Sequence, residues 1–363
     1  MRVLVVISGL ELGGAEVQVS QLCDQFYNNG IEVRLVSMMG DVVVQPRTGN
    51  IVIDHLGMKK NILSLFHSAK RYISILREFR PDIVSAHLYH ANIFTRIMYF
   101  FCANYTLINS EHSKFVGSEL RALCYKLTRR VPRACTNVSQ EALGNFIDKG
   151  AFIKGSAKYI YNGIDTDKFI FSEMHRQRLR NEFRVPTERK IIMSIGRLVT
   201  AKDYPTLLNA FKKCDFSNSE LWIVGDGKEK NALLSMVHEL GIDNRVKFLG
   251  ARRDIHQLLS ACDLFVLSSA WEGFALVVAE AMSCQRLVVA TDAGGVKEVM
   301  GSDSEWLVEV KNIDELTHKI NKALQLNKYE IEKITSRGRN RIISHYSLST
   351  IASQWIAFYK SFE

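Results

Sequence analysis

Two glutamates, Glu272 and Glu280, stand eight residues apart in the run Glu272-Gly273-Phe274-Ala275-Leu276-Val277-Val278-Ala279-Glu280. A carboxylate on an otherwise apolar helix is costly to bury unless something pairs with it. Vicinal hydroxyls of a sugar are good partners, because a carboxylate accepts two hydrogen bonds at once. The run from Phe274 through Ala275 and Leu276 to Val277 opens the helix, and its backbone N–H groups can hold phosphate oxygens there. A buried structural ion pair would use the same residues.

Cations lie upstream. Gly196-Arg197, with Lys202, follows an apolar segment that reads as a strand. Parallel sheets bind ligands at the carboxyl ends of their strands, and two cations there can hold a diphosphate and stabilise charge growing on it. An exposed basic loop is the plainer reading. Gly13-Gly14 likewise lies between a strand and a helix, where a backbone without side chains can approach a phosphate. It lacks the G-x-G-x-x-G dinucleotide pattern, and a simple turn would also use it.

Histidines mark the ends of two further strands: His87 and His90 after one, His112 in Glu111-His112-Ser113 after the next. Histidine can orient a hydroxyl or donate to a phosphate near neutral pH. No spacing typical of a metal site accompanies them. Asp165-Thr166-Asp167 has the D-x-D form of some metal-binding sites, but it falls in a connection rich in turn residues and reads as a turn cap.

The elements that must position these groups alternate. In the first half, strands are expected at 3–7, 32–38, 83–87, 106–109, 134–138 and 158–160, with helices at 15–28, 63–79, 91–102 and 140–149. The pattern restarts after Asn162-Gly163-Ile164-Asp165, with strands at 191–195, 221–224, 246–249, 264–267 and 287–290 and helices between them and at 313–326. Alternation of this kind implies parallel, doubly wound sheets. The expected class is α/β, with two Rossmann-like domains facing a central cleft, at 1–161 and 162–346. A last helix, about 347–363, carries Trp355, Phe358 and Tyr359 and can cross back to the first domain.

The 363 residues suit two domains, and 47% apolar with 23% charged residues is ordinary for a globular chain. No leader pattern precedes Gly9, and the longest apolar stretch, 97–108, is far short of the roughly 20 residues that span a bilayer. A cytoplasmic protein is expected. Its seven cysteines, without C-x-x-C spacing, read as free thiols. The net charge of +9 is uneven: residues 1–160 hold 19 Lys/Arg against 12 Asp/Glu. Much of that excess lies where Arg121, Lys126, Arg129, Arg130 and Arg133 interleave with Leu120, Leu123, Tyr125 and Leu127. This pattern fits an amphipathic helix on anionic lipid, and equally a solvated basic face. Nucleic acid is disfavoured, since no binding module accompanies the charge.

Together these stretches resemble family 4 of the retaining GT-B glycosyltransferases over nearly the whole chain. The resemblance rests on Gly13-Gly14-Ala15-Glu16, Glu111-His112-Ser113, Asn162-Gly163-Ile164-Asp165, Ser194-Ile195-Gly196-Arg197 with Lys202, Val224-Gly225-Asp226-Gly227, and the Glu272 to Met282 block ending in E-x7-E. It implies that Glu272 contacts the donor sugar and Glu280 the ribose. Arg197 and Lys202 would hold the diphosphate, with Gly13, Gly14 and Gly225 nearby. His112 would lie near the sugar and its phosphates, and Arg252 or Arg253 near the base. His87 and His90 are assigned to the acceptor side. Ala275 replaces the family's usual glycine, which fits unless φ is positive there. The resemblance further implies no metal and no other cofactor, and a UDP-sugar donor. The expected acceptor is a lipid-linked (polyprenyl-diphosphate) saccharide or oligosaccharide in O-antigen or lipopolysaccharide biosynthesis, with peripheral association at the inner membrane face. A GT-B epimerase, a glucan synthase and a non-catalytic nucleotide-sugar sensor share much of this pattern.

Overall fold

The computed structural model describes every residue except Leu12 and Lys60. The chain divides into two compact units, Met1–Gly163 with Leu348–Glu363, and Ile164–Ser347. In the first unit the elements run β1 Arg2–Leu10, α1 Gly14–Asn28, β2 Glu32–Val42, β3 Val52–His55, α2 Ile62–Phe79, β4 Ile83–His87, α3 Tyr89–Tyr99, β5 Thr106–Glu111, α4 Glu119–Thr128, β6 Ala134–Asn137, α5 Gln140–Asp148 and β7 Ala157–Tyr159. The second unit contains α6 Glu173–Glu182, β8 Lys190–Ile195, α7 Tyr204–Lys213, β9 Ser219–Val224, α8 Lys230–Glu239, β10 Val246–Gly250, α9 Ile255–Ala261, β11 Leu264–Leu267, α10 Leu276–Ser283, β12 Leu287–Thr291, α11 Val296–Met300, β13 Leu307–Val308, α12 Ile313–Gln325 and α13 Lys328–Tyr346. The final helix, α14 Leu348–Lys360, belongs to the first unit.

Both sheets are parallel, as the alternating pattern requires. The first has the order β3-β2-β1-β4-β5-β6-β7 and the second β10-β9-β8-β11-β12-β13. In each the order reverses beside the first strand of the unit, between β1 and β4 and between β8 and β11. Such a reversal opens a crevice at the carboxyl ends of the two strands.

The continuous apolar run of β1 is explained by burial on both faces. Val3, Val5 and Ile7 pack into one core with Phe26 of α1, and Leu4 and Val6 pack into another with Tyr72 of α2 and Phe94 of α3. The first of these cores also takes Ile351, Ala352, Trp355 and Tyr359 of α14. Phe26 and Tyr359 meet edge-on at 5.5 Å. The aromatic stripe on the last helix is therefore core, supplied from the far end of the chain. Among the described residues no helix is long and apolar enough to cross a membrane.

Several elements, α11 among them, lay outside the expected pattern. β3 and β13 are too short, at four and two residues, to announce themselves by periodicity. The helices α6 and α13 are strongly polar; α13 buries only Thr335, Ile342 and Tyr346. Tertiary support and caps hold them instead. Asn327 and Glu330 form a reciprocal capping box at the start of α13.

Candidate functional site

In the second unit, β8 and β11 lie side by side and their ends bring Lys202 and Glu272 together. Lys202 Nζ sits 2.5 Å from Glu272 Oε1, and Ser269 donates to the same oxygen at 2.6 Å. Both charged side chains are largely buried, at 18% and 13% exposure. The pair is therefore more than a rim contact, and each charge depends on the other. Among the described residues Glu272 Oε2 has no hydrogen-bond partner, so one carboxylate oxygen remains for a ligand. The backbone of Glu272 bridges to Gly294, in a Gly294-Gly295 turn after β12. Neither Ser269 nor this turn emerged from sequence reasoning. The glycine pair Gly294-Gly295 after an apolar strand is the signal that could have pointed to the turn.

Arg197 is exposed, and its side chain makes no hydrogen bond or ion pair among the described residues. Tyr204 donates to Gly196 O at 3.1 Å and so fixes the loop that carries it. Gly225 supports the same loop. Its φ is +141°, and a Cβ there would lie 1.9 Å from Gly196 O. No side chain fits, so Gly225 serves close backbone packing. Gly225→Ala should unfold the protein more easily by on the order of 3 kcal/mol. Gly241→Ala, also at positive φ but in open space, should cost only about 1 kcal/mol. Urea midpoints of the two variants check this; equal losses would refute the packing role.

α10 begins as the sequence suggested, with a correction at Ala275. Its φ and ψ are +59° and +57°, the left-handed region that costs an L residue roughly 1–2 kcal/mol. The condition under which Ala replaces Gly without strain is not met. This turn lets the helix start at Leu276. The first bond into it runs from Val278 N–H to Ala275 O at 3.0 Å. The N–H groups of Leu276 and Val277 are left directed out of the helix start, toward any anion placed there. Phe274 is buried, its ring 5.7 Å from that of Tyr346, and it packs the turn in place.

Glu280 lies one turn into α10 and is half-buried. No hydrogen bond or ion pair satisfies its side chain among the described residues. Burial pushes its carboxyl up to about 7, against a weaker opposing pull from Lys168. A structural salt bridge is thus absent at Glu280, while Glu272 has one. Lys168 comes from the connection at 165–168, where Asp165 accepts from the Lys168 N–H at 3.0 Å. Among the described residues no three His, Cys, Asp or Glu side chains are grouped to hold a metal. Arg252 clasps Asp254 through two bonds of 2.8 and 2.7 Å, so it would have to share or leave that carboxylate to meet a base.

In the first unit, the ends of β1, β4 and β5 place three expected groups along one sheet edge. Gly13 precedes α1 and Gly14 is its first residue; the Gly13 carbonyl accepts the first bond, from Val17 N–H at 3.1 Å. His87 departs from expectation. It is 2% exposed, and both ring nitrogens are engaged, Nε2 by Ser85 Oγ at 3.1 Å and Nδ1 by His112 Nε2 at 3.0 Å. A side chain so enclosed cannot meet an acceptor. His90, by contrast, is exposed on α3 with its ring against Tyr89. Burial pulls His112 down to about 4, and burial with the neighbouring His112 holds His87 well below the ordinary imidazole value, so both are neutral at pH 7. Behind them, Glu111 is buried and held by the Tyr125 hydroxyl and by Asn92 Nδ2, with burial pushing its carboxyl up. Arg96, fully buried, stacks over the Tyr125 ring at 4.7 Å.

The basic segment is resolved into parts. Tyr125 turns inward, while Leu120, Leu123 and Leu127 are 69%, 50% and 76% exposed along one face of α4. Arg121 stacks on Tyr89 and Arg129 reaches Gly150 O. Lys126, Arg130 and Arg133 remain exposed. A second apolar tip, not foreseen, is formed by Ile62, Leu63 and Phe66 at the start of α2, each at least 64% exposed.

Comparison with known proteins follows this division. Residues 12–168 match the family model described as Glycosyltransferase Family 4, and residues 175–341 that described as Glycosyl transferases group 1. Two relatives are 31% identical. One is the N-acetyl-alpha-D-glucosaminyl L-malate synthase of Bacillus anthracis, over 55% of this chain and 52% of that protein. The other is the N-acetylgalactosamine-N,N'-diacetylbacillosaminyl-diphospho-undecaprenol 4-alpha-N-acetylgalactosaminyltransferase of Campylobacter jejuni, over 42% and 40%. In both, the match spans about half of the relative or less. The lipopolysaccharide core biosynthesis glycosyltransferase LpsD of Rhizobium meliloti is 26% identical over 85% of this chain and 83% of its own. Among solved structures, Anabaena HepE in complex with UDP-glucose superposes with a TM-score of 0.84 at 25% identity, covering 99% of this chain and 100% of that one.

Proposed function

We propose that this chain, which belongs to the GT-B glycosyltransferases of family 4, moves a hexose or N-acetylhexosamine from a UDP-sugar to a polyprenyl-diphosphate-linked saccharide of a bacterial surface polysaccharide. Transfer retains the anomeric configuration and uses no bound metal. The observation that carries the reading is the division of labour between two carboxylates around the open start of α10. Glu272 is engaged on one oxygen by Lys202, and Glu280 is raised and unpaired.

The chemistry follows from that arrangement. Breaking the bond between sugar and diphosphate leaves negative charge on the phosphates. Lys202, held by Glu272, and the N–H groups of Leu276 and Val277 are already in place for that charge and need no rearrangement when it develops, and the exposed Arg197 adds a second cation. Glu272 Oε2 accepts from a sugar hydroxyl and fixes the sugar over them. Glu280, once ionised, accepts the two ribose hydroxyls. Three of the relatives and neighbours support the substrate classes: HepE was solved with UDP-glucose, the Campylobacter enzyme is named for an undecaprenol-linked acceptor, and LpsD for lipopolysaccharide core.

The acceptor class finds support in the surface of the first unit. Leu120, Leu123 and Leu127 beside Lys126 and Arg130, and the tip at Ile62, Leu63 and Phe66, suit peripheral binding to an anionic membrane. Each exposed cation there adds about 1 kcal/mol. Co-sedimentation with vesicles containing anionic lipid should be strong at low salt and weak at high salt. Leu123→Ser with Leu127→Ser should lower it about thirtyfold or more, at roughly 1 kcal/mol or more for each leucine withdrawn from lipid. No binding at low salt would sink the membrane assignment. Label from a UDP-sugar should appear in the organic phase of a lipid extract; label confined to soluble glucan would overturn the acceptor class.

A further inference from the structure

Four side chains of the first unit form an unbroken hydrogen-bonded line that ends at His112. Tyr359 of α14 donates to Ser85 Oγ at 2.9 Å. Ser85 Oγ lies 3.1 Å from His87 Nε2, and His87 Nδ1 lies 3.0 Å from His112 Nε2. Tyr359 and Ser85 are completely buried. At the other end His112 Nδ1 is buried and has no hydrogen-bond partner among the described residues.

The direction of the line is set by counting hydrogens. Among the described residues Tyr359 has one acceptor for its hydroxyl, Ser85 Oγ, so its hydrogen must go there or be buried unpaired, at a cost of about 1–3 kcal/mol. Ser85 Oγ then has its own hydrogen left, and His87 Nε2 is its remaining partner. A neutral imidazole carries a single N–H, so His87 bears it on Nδ1 and donates to His112 Nε2. The one hydrogen of His112 is thereby left on Nδ1, at the atom without a protein partner.

We propose that Tyr359, Ser85 and His87 are positioning residues that lock His112 as the Nδ1–H tautomer and so present that N–H to an oxygen of the bound substrate. That the substrate is a nucleotide-sugar rests on the function proposed above; the lock itself does not. An Nδ1–H has no lone pair in the ring plane, so His112 acts as a donor at this atom and not as a base. The lock also gives α14 a task beyond packing, because the group that sets the direction is on the last helix of the chain.

The test reads the tautomer directly. Long-range proton–nitrogen correlation spectra of the full-length, histidine-labelled protein, with the His112 signal assigned by its loss in His112→Gln, should place the proton on Nδ1. Ser85→Ala and Tyr359→Phe should both shift that signal to a mixture of tautomers. They should also lower kcat about tenfold, the worth of one well-made hydrogen bond, with the donor KM within twofold of the parent. A proton on Nε2 in the parent, or a His112 signal unmoved in both variants, would overturn the lock. Tautomers as expected in a protein that neither binds nor turns over any UDP-sugar would leave the lock standing and overturn the nucleotide-sugar reading.

Discussion

Lys202→Ala lowers kcat for sugar transfer by about 10²–10³-fold, the usual worth of one preorganised donor aimed at developing charge. Two effects combine. The departing diphosphate loses a cation, and Glu272 loses the ammonium 2.5 Å from Oε1. A largely buried carboxylate stripped of its partner is left uncompensated. The loss should therefore not add to that of Glu272→Gln. The double variant should fall short of the product of the single losses, by a coupling on the order of 1–3 kcal/mol. Nucleoside-diphosphate release at saturating donor measures all three. A Lys202→Ala enzyme within threefold of the parent would remove Lys202 from the leaving-group site.

Glu280→Gln weakens UDP binding about 100-fold, as expected when charge-assisted hydrogen bonds of roughly 1.5–3 kcal/mol are lost. The parent should also show a pH dependence that the variant lacks. Burial raises the Glu280 carboxyl to about 7, and the ionised form is the one that accepts ribose hydroxyls. Protons therefore compete with nucleotide. Affinity rises as pH rises through 7, by about tenfold between pH 6 and pH 8. Titration calorimetry of parent and variant over that range isolates the effect, since any ionisation of the nucleotide is common to both. Parallel pH profiles would take the ribose contact away from Glu280.

Much of the scaffold was legible because parallel strands buried on both faces write themselves as apolar runs. Val3 to Ile7 and Leu264 to Leu267 are such runs, and the groups that follow them had to fall at sheet ends. The assignment of Arg197, Lys202, Glu272 and Glu280 to one region of the second unit came from that rule. Side-chain partners were not legible. Nothing in the spacing of Lys202 and Glu272 says that they touch, since 70 residues of chain separate them. The enclosure of His87 was hidden for the same reason. Its neighbours Ser85, on the same strand, and His112, just past the adjacent one, are close by topology, but Trp355, with its ring 5.9 Å away, arrives from α14. Ala275 was misjudged because backbone strain leaves no trace in residue type; the left-handed φ follows from the sharp step between the Glu272 bridge and the start of α10. On α4 the pattern of apolar and basic residues was visible, while the choice of which residues face outward was made by Tyr125 reaching inward to Glu111.

Nucleotide-sugar turnover at the site around α10 is tested most directly by one measurement. UDP release is followed from a panel of UDP-sugars, with and without membrane lipid extract, for the parent and for Glu280→Gln. Release from at least one UDP-sugar is expected, stimulated by the lipid extract, with a donor KM that Glu280→Gln raises about 100-fold. No release from any UDP-sugar in the presence of lipid, or the same donor KM in parent and variant, would contradict it.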